Sequence, residues 1–333
     1  MTTRIIYALF FNILLILVPL IGVGIFKLEK LFALFIPYAS ILSFMVGTVY
    51  KVLRWGASPQ PFKIPLVAGQ QKSLKWIGSS YIESPHNKVG LVLRMILEIV
   101  FFRSLLRNER VDTHVRRWLI FTSKKGLWLM ALIFHYSLLV IVLRHLKLFL
   151  EPVPKILNLA NEVDGLFDIF LPGVFITEIL ILFAGTYLLL RRILIRQVRY
   201  ISLTTDYFAL FLVLSVVLSG ILLRYFFRVD LLDVKKFALG LFSFNPYIPQ
   251  FVGSTFYLHL FLVSFLFAYF PFSKLLHAAG VFLSPTRNLE NNSREKRYIN
   301  PWNYPVKVRT YEEWEDEFRE MMKEAQIPLE REE

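Results

Sequence analysis

From Ile5 to Phe26 the chain carries no charged side chain. An apolar run of that length, rising about 1.5 Å per residue as a helix, crosses the ~30 Å hydrocarbon layer of a bilayer in one pass. Five further blocks are long and predominantly apolar: Leu31 to Tyr50, Gly126 to Phe149, Ile169 to Leu190, Tyr207 to Phe226 and Gly253 to Leu276. The expectation is therefore an all-α integral membrane protein with six transmembrane helices. The first block, between Arg4 and Lys27, has no A-x-A cleavage site and reads as an uncleaved helix instead of a signal peptide. Pro37 is tolerable near the start of the second.

Composition supports a bilayer as the main solvent. The 333 residues are 56% hydrophobic and 16% aromatic, and the mean hydropathy of +0.53 exceeds that of ordinary soluble domains. A formal net charge of +13 would suit a nucleic-acid partner if it were gathered in one patch. Lys and Arg instead crowd the ends of the apolar blocks, where the positive-inside rule and anionic head groups account for them. Cysteine is absent. That excludes disulfides, cysteine-ligated iron–sulfur clusters, zinc-thiolate sites and covalent c-type haem attachment within this chain.

Charge placement divides the chain into four parts. Residues 1–53 form two N-terminal transmembrane helices, and residues 54–125 a basic cytoplasmic loop. Within that loop Gly90 to Leu106 is apolar but interrupted by Arg94, Glu98 and Arg103, which suits an interfacial helix better than a span. Residues 126–281 form a four-helix core, and residues 282–333 a cytoplasmic tail. The tail's acidic, amphipathic TYEEWEDEFREMMKEAQ reads equally as a solvated surface helix or a docking element for a soluble partner. The loop RRILIRQVRY is basic, whereas that from Arg144 to Asp168 is mixed in charge, so both termini are expected in the cytoplasm. The location implied is the cytoplasmic (inner) membrane of a prokaryote.

Four of the six histidines fall in two of the apolar blocks: His135 and His145 in the third, His259 and His277 in the sixth. Neutral imidazole is a metal ligand, and helical bundles hold cofactors between facing helices. We read the four as axial ligands of two b-type haems. The third block runs outward and the sixth inward, so His135 pairs with His277 toward the cytoplasm and His145 with His259 toward the outer face. As rigid rods the spacings do not match: ten residues span about 15 Å and eighteen about 27 Å. Tilt, laterally offset haem planes and a bend at Pro271 are expected to absorb the difference. A single intramembrane histidine would read as a hydrogen-bonded core residue, but four in two pairs at matching depths do not. His86 and His114, in the basic loop, read as solvated.

Cations near the block ends are candidates for haem propionates: Arg144 and Lys147 at the outer end, Arg191, Arg192 or Lys274 at the inner, each also readable as a snorkelling flank residue. Glu178 is the one carboxylate well inside a block, and an intramembrane acid is by default a functional candidate. It is nominated as proton acceptor from a quinol, with Arg224 and Tyr225 beside the quinone.

The histidine spacing resembles the nitrate reductase gamma-subunit family of dihaem cytochromes b. Longer stretches, GQQKSLKWI, FFRSLLRNE, FHYSLLVIVLRHLKLFLEPVP, RRILIRQVRYISL, YLHLFLVSFLFAYFPFSKLLHAAGVFLSPTRN and NPWNYPVKVRTYEE, resemble the DsrM-type membrane cytochromes b of Dsr MKJOP complexes, called HmeC in an archaeal counterpart. The resemblance runs from about residue 59 to 328. It implies a menaquinone-linked dihaem subunit of an oxidoreductase complex in dissimilatory sulfur metabolism, with menaquinol as electron donor. It carries the ligand roles to His135, His145, His259 and His277. It also implies a heterodisulfide-reductase-like iron–sulfur partner of the DsrK type on the cytoplasmic side, and membrane and periplasmic DsrJ-, DsrO- and DsrP-like subunits. The gamma-subunit family usually has five spans, so the first block is an addition. The competing readings are a cofactor-free transporter or proton channel using the histidines, and a structural anchor for a soluble oxidoreductase. The first would more often show broken helices in repeated halves, which the chain lacks.

Overall fold

The computed structural model describes residues 2–58, 64–112, 120–165, 174–249, 252–284, 286–295 and 308–331. Helices supply nearly all of the regular structure: α1 (Thr2–Gly24), α2 (Ile36–Gly56), α3 (Lys88–Phe101), α4 (Arg103–Leu106), α5 (Lys125–His145), α6 (Lys155–Asp164), α7 (Ile176–Leu194), α8 (Arg196–Ile201), α9 (Thr204–Tyr225), α10 (Leu231–Phe242), α11 (Ser254–Tyr269), α12 (His277–Leu283) and α13 (Tyr311–Glu324). One short antiparallel ribbon joins β1 (Glu109–Asp112) to β2 (Ile120–Ser123), with Glu109 opposite Ser123. His114 lies outside the described residues.

Five helical stretches are long and apolar enough to cross a membrane: Thr3–Gly24, Leu31–Gly56, Lys125–Leu148, Thr204–Tyr225 and Ser254–Phe272. The remaining expected crossing becomes α7, which carries Glu178 in its first turn and Arg191 and Arg192 in its last. It falls outside that set of five, yet it packs between α5 and α9. Beyond it, α9 packs on α1 and α11, and α11 on α1 and α2. The largest buried cluster joins α1, α9, α10 and α11 through residues such as Val23, Leu212, Phe237, Phe256 and Leu262. The outward faces are apolar instead of charged, with Phe10, Phe35, Leu53 and Val46 exposed. Such a surface is stable against lipid tails and a liability in water.

Two boundaries differ from expectation. Helix α2 opens with a π-helical turn, Leu31–Phe35, and continues beyond Tyr50 to Gly56. The last apolar block is not one helix. α11 ends at Tyr269, Pro271 sits in a 3₁₀ turn, Ser273 is extended, and a second 3₁₀ turn, Lys274–Leu276, leads into α12 at His277. Proline has no N–H to continue the ladder and its ring clashes with the preceding turn.

Helices α6 and α10 were not anticipated. Asp230 caps α10 by accepting from the Leu232 N–H at 2.9 Å, and Val234, Phe237, Ala238 and Leu241 bury one face of it. This is the i, i+3, i+4, i+7 pattern of an amphipathic helix, compressed between two spans.

The basic loop is a folded platform. The Leu66 N–H donates to the Thr286 carbonyl at 2.8 Å, the Asn291 N–H to the Pro85 carbonyl at 2.7 Å, and Asn291 Nδ2 to Ser84 Oγ at 2.8 Å. The interfacial helix appears as α3, capped by Asn87, and ends where Phe102 adopts a left-handed φ of 49° before α4. Its last carbonyls would otherwise be orphaned. Tyr136 Oη donates to Val100 at 2.8 Å and Trp128 Nε1 to Phe101 at 2.7 Å, which ties α3 to α5. Arg103 and Arg107 clasp Glu83. Burial alone would raise the Glu83 carboxyl, but the hydrogen bond and charge of Arg103, with those of Arg107, outweigh it and hold the group below its usual range. The clasp is therefore complete at neutral pH and loosens only in acid, as pH falls through that depressed value. His86 is not solvated as expected: it is half-buried, its ring meets Tyr81 edge-on at 5.5 Å, and its Nδ1 is buried without a partner.

Candidate functional site

Helices α5 and α11 do not pack closely on each other; α5 leans on α7, and α11 on α1, α2 and α9. Across the space between them the four histidines meet in two pairs. The ring centroids of His145 and His259 lie 6.3 Å apart at 30°, and those of His135 and His277 lie 5.9 Å apart at 84°. This is the pairing expected of two antiparallel helices. The rigid-rod mismatch disappears because the chain turns at Pro271 and Ser273 before presenting His277.

In each ring one nitrogen is already engaged. Nδ1 of His135 lies 2.7 Å from the Ala131 carbonyl, that of His145 2.8 Å from Ile141, and that of His277 2.9 Å from Lys274. A carbonyl can only accept, so all three rings carry their proton on Nδ1. His259 Nδ1 lies 2.9 Å from Ser219 Oγ, whose own proton goes to the Val216 carbonyl at 2.9 Å, so Ser219 must accept there too. Nε2 is thereby left as a bare lone pair in all four, and none of them hydrogen-bonds through Nε2 to a described residue. Metal-binding histidines are oriented in this way, the second nitrogen donating to a carbonyl or hydroxyl.

Two imidazoles per site are too few for a bare metal ion, and among the described residues no group of three or more His, Asp or Glu could hold one. An iron held here needs its other donors from a macrocycle, and this donor set, with two facing neutral imidazoles between helices that stand apart, fits a bis-histidine haem. The rings are bordered by apolar neighbours: Phe102 and Phe134 meet His135 edge-on at 5.0 and 5.4 Å.

Ser219 and Gly220 escaped the sequence reading, and both serve His259. A Cβ at Gly220 would stand 3.2 Å from Cε1 of the His259 ring, closer than the ring accommodates without shifting. Gly220→Ala is expected to displace the imidazole by a few tenths of an ångström and, if this pair holds a haem, to alter that haem's low-spin signal in an electron paramagnetic resonance spectrum. Gly220→Leu is expected to abolish that signal. Two unchanged signals in the leucine variant would show that α9 does not press on this ring.

Beside His145 lies a charged cluster. Arg144 Nη1 binds Asp164 Oδ2 at 2.7 Å and its Nη2 binds Glu178 Oε1 at 3.2 Å, with side-chain exposures of only 9%, 1% and 13%. Asp164 also accepts from the Thr177 N–H at 2.9 Å and the Thr177 hydroxyl at 2.6 Å. Tyr225 Oη donates to Glu178 Oε2 at 2.7 Å, and Arg224 stands 4.0 Å from Oε1. Both guanidinium groups lie over the Phe175 ring, at 3.3 and 3.9 Å. Glu178, Arg224 and Tyr225 thus do come together. Arg144 is not the free propionate partner expected, because two of its nitrogens are bound to carboxylates. At the other end Lys274 binds Asp206 at 2.8 Å, and Arg192 approaches the same carboxylate at 3.9 Å. Lys147 and Arg191 form no ion pair among the described residues.

Residues 106–292 match the nitrate reductase gamma subunit family. The chain belongs to that family. Two curated relatives extend the likeness to most of its length. A protein of Archaeoglobus fulgidus described as an Hdr-like menaquinol oxidoreductase cytochrome b-like subunit is 41% identical over 284 residues, covering 82% of this chain and 83% of the relative. A protein of Archaeoglobus profundus with the same description is 39% identical over 297 residues, covering 82% of this chain and 84% of the relative. The family region contains α5 to α12 and all four paired histidines, whereas α1 and α2 lie outside it.

Proposed function

We propose that the chain is the dihaem cytochrome b subunit of a menaquinol oxidoreductase complex in the cytoplasmic membrane. The observation that carries this reading is the double histidine pairing: four rings, each with Nδ1 engaged and Nε2 bare, facing one another in two pairs between α5 and the α11–α12 segment. In this reading α7 is the sixth crossing and both termini are cytoplasmic. His135 and His277 then hold the inner group, and His145 and His259 the outer. Two b-type haems, when bound, would supply a one-electron relay from menaquinol to a partner across the insulating layer.

The chain's own part is positioning. The carbonyls of Ala131, Ile141 and Lys274 and the Ser219 hydroxyl fix the ring orientations, so that the four histidines would hold the haems for electron transfer. The names of the relatives and the sequence likeness to DsrM-type subunits support a DsrK-like, heterodisulfide-reductase-type iron–sulfur protein as cytoplasmic partner. The sequence likeness alone suggests further DsrJ-, DsrO- and DsrP-like subunits and a role in sulfate respiration.

Oxidising a quinol releases protons. Glu178 is proposed to take one at the outer end, with the Tyr225 hydroxyl, already bonded to Oε2, lying on the proton's path. Adding a menaquinol analogue to the air-oxidised protein is expected to reduce its b-type absorption bands. Glu178→Gln is expected to slow that reduction by about 100-fold without changing the spectrum, the lower end of the range for losing a general base. Bands reducible by dithionite but not by the quinol would contradict menaquinol as donor, and an unchanged rate in Glu178→Gln would remove the carboxylate from the reaction.

A further inference from the structure

The last turns of α2 lie beyond the expected end of its apolar block, and they stand against the segment that delivers His277. A Cβ at Gly47 would come within 2.9 Å of Pro271 Cβ and Phe272 Cζ, so the helix meets the break closely where only glycine fits. One turn further along, a cavity of about 380 Å³ opens, lined by Lys51 and Trp55 of α2 and by Ser273, Lys274, His277 and Gly280. Two lysines line this cavity beside a haem-ligand candidate. Lys274 is compensated by Asp206 at 2.8 Å. Lys51 is half-buried and has no ion-pair partner among the described residues. An ammonium without an ion-pair partner in a partly enclosed space favours an anionic ligand.

We propose that Lys51 binds a carboxylate of the group that His277 holds, with Trp55 beside it. Helix α2, outside the family's matched region, would thus complete the inner haem site. The inference rests on the dihaem reading. A haem b brings two propionates and no other charge at its rim, and the cavity begins at the ligand itself, which favours that carboxylate over a lipid head group.

The test is a redox titration of the purified protein in zwitterionic detergent, with haem content measured in parallel, for the unaltered chain, Lys51→Met and Lys51→Arg. Removing the cation disfavours the more negative, reduced form. Lys51→Met is therefore expected to lower one of two midpoint potentials and leave the other in place, with Lys51→Arg restoring it. Two unmoved midpoints in Lys51→Met would overturn the proposal while leaving the dihaem reading intact. A shift that appears only in vesicles containing anionic lipid would assign Lys51 to a head group and overturn it as well. A haem-free unaltered protein would instead remove the dihaem reading, and the proposal with it.

Discussion

On the dihaem proposal, replacing His259 with alanine is expected to leave one b-type haem per chain instead of two, with no change in the amount of folded protein in the membrane. His145→Ala should lose the same haem, and His135→Ala or His277→Ala the other, because the rings face each other in those pairs at 6.3 and 5.9 Å. The loss should be large, since among the described residues the one other histidine, His86, packs against Tyr81 in the platform. Ser219→Ala should act in the same direction but more weakly. It removes the hydroxyl that accepts from His259 Nδ1, and losing such a support typically costs 10- to 100-fold in affinity. Pyridine haemochrome measurements across the series check the assignment. Any single variant that keeps both haems, or that loses both while its partner variant loses one, would break the pairing.

Arg144→Leu should destabilise the protein by about 3 kcal/mol, the lower end of the range for removing one member of a buried ion pair. Asp164 and Glu178 would be left nearly excluded from solvent without their shared cation. The bonds from Thr177 to Asp164 and from Tyr225 to Glu178 persist in the variant, which is why the upper end of that range is not expected. The measurement is the thermal unfolding midpoint in detergent. Arg144→Leu together with Asp164→Asn and Glu178→Gln should recover much of the loss, since no buried charge then lacks a partner. A single variant as stable as the unaltered protein would mean that the cluster is wet in the membrane and adds little.

The bundle and the histidine pairing were both legible in the sequence, for one physical reason. Bilayer thickness converts apolar length into a helix, and antiparallel neighbours put an early residue of one level with a late residue of the other. What sequence reading could not supply is contact between distant residues. Asp164, Glu178 and Arg224 lie on three elements, and nothing local shows that Arg144 binds two of these carboxylates instead of a propionate. Asn291 and Ser84 are likewise far apart in the chain, so the basic loop gave no sign of folding against the tail segment. The break at Pro271 was visible as a proline but not as a stop, because Phe270 and Phe272 keep the hydropathy high through it. Ser219 and Gly220 read as small residues in an apolar helix, and their service to His259 appears only once α9 and α11 are packed together. A small hydroxyl residue and a glycine in adjacent positions on a buried face, level with a histidine of another block, are the signal that would have found them.

The most direct test of the account is the cofactor content of the purified full-length chain, measured as pyridine haemochrome per polypeptide with a reduced-minus-oxidised spectrum. Two protohaems per chain with low-spin b-type bands are predicted. A chain that stays colourless after expression with ample haem would contradict it.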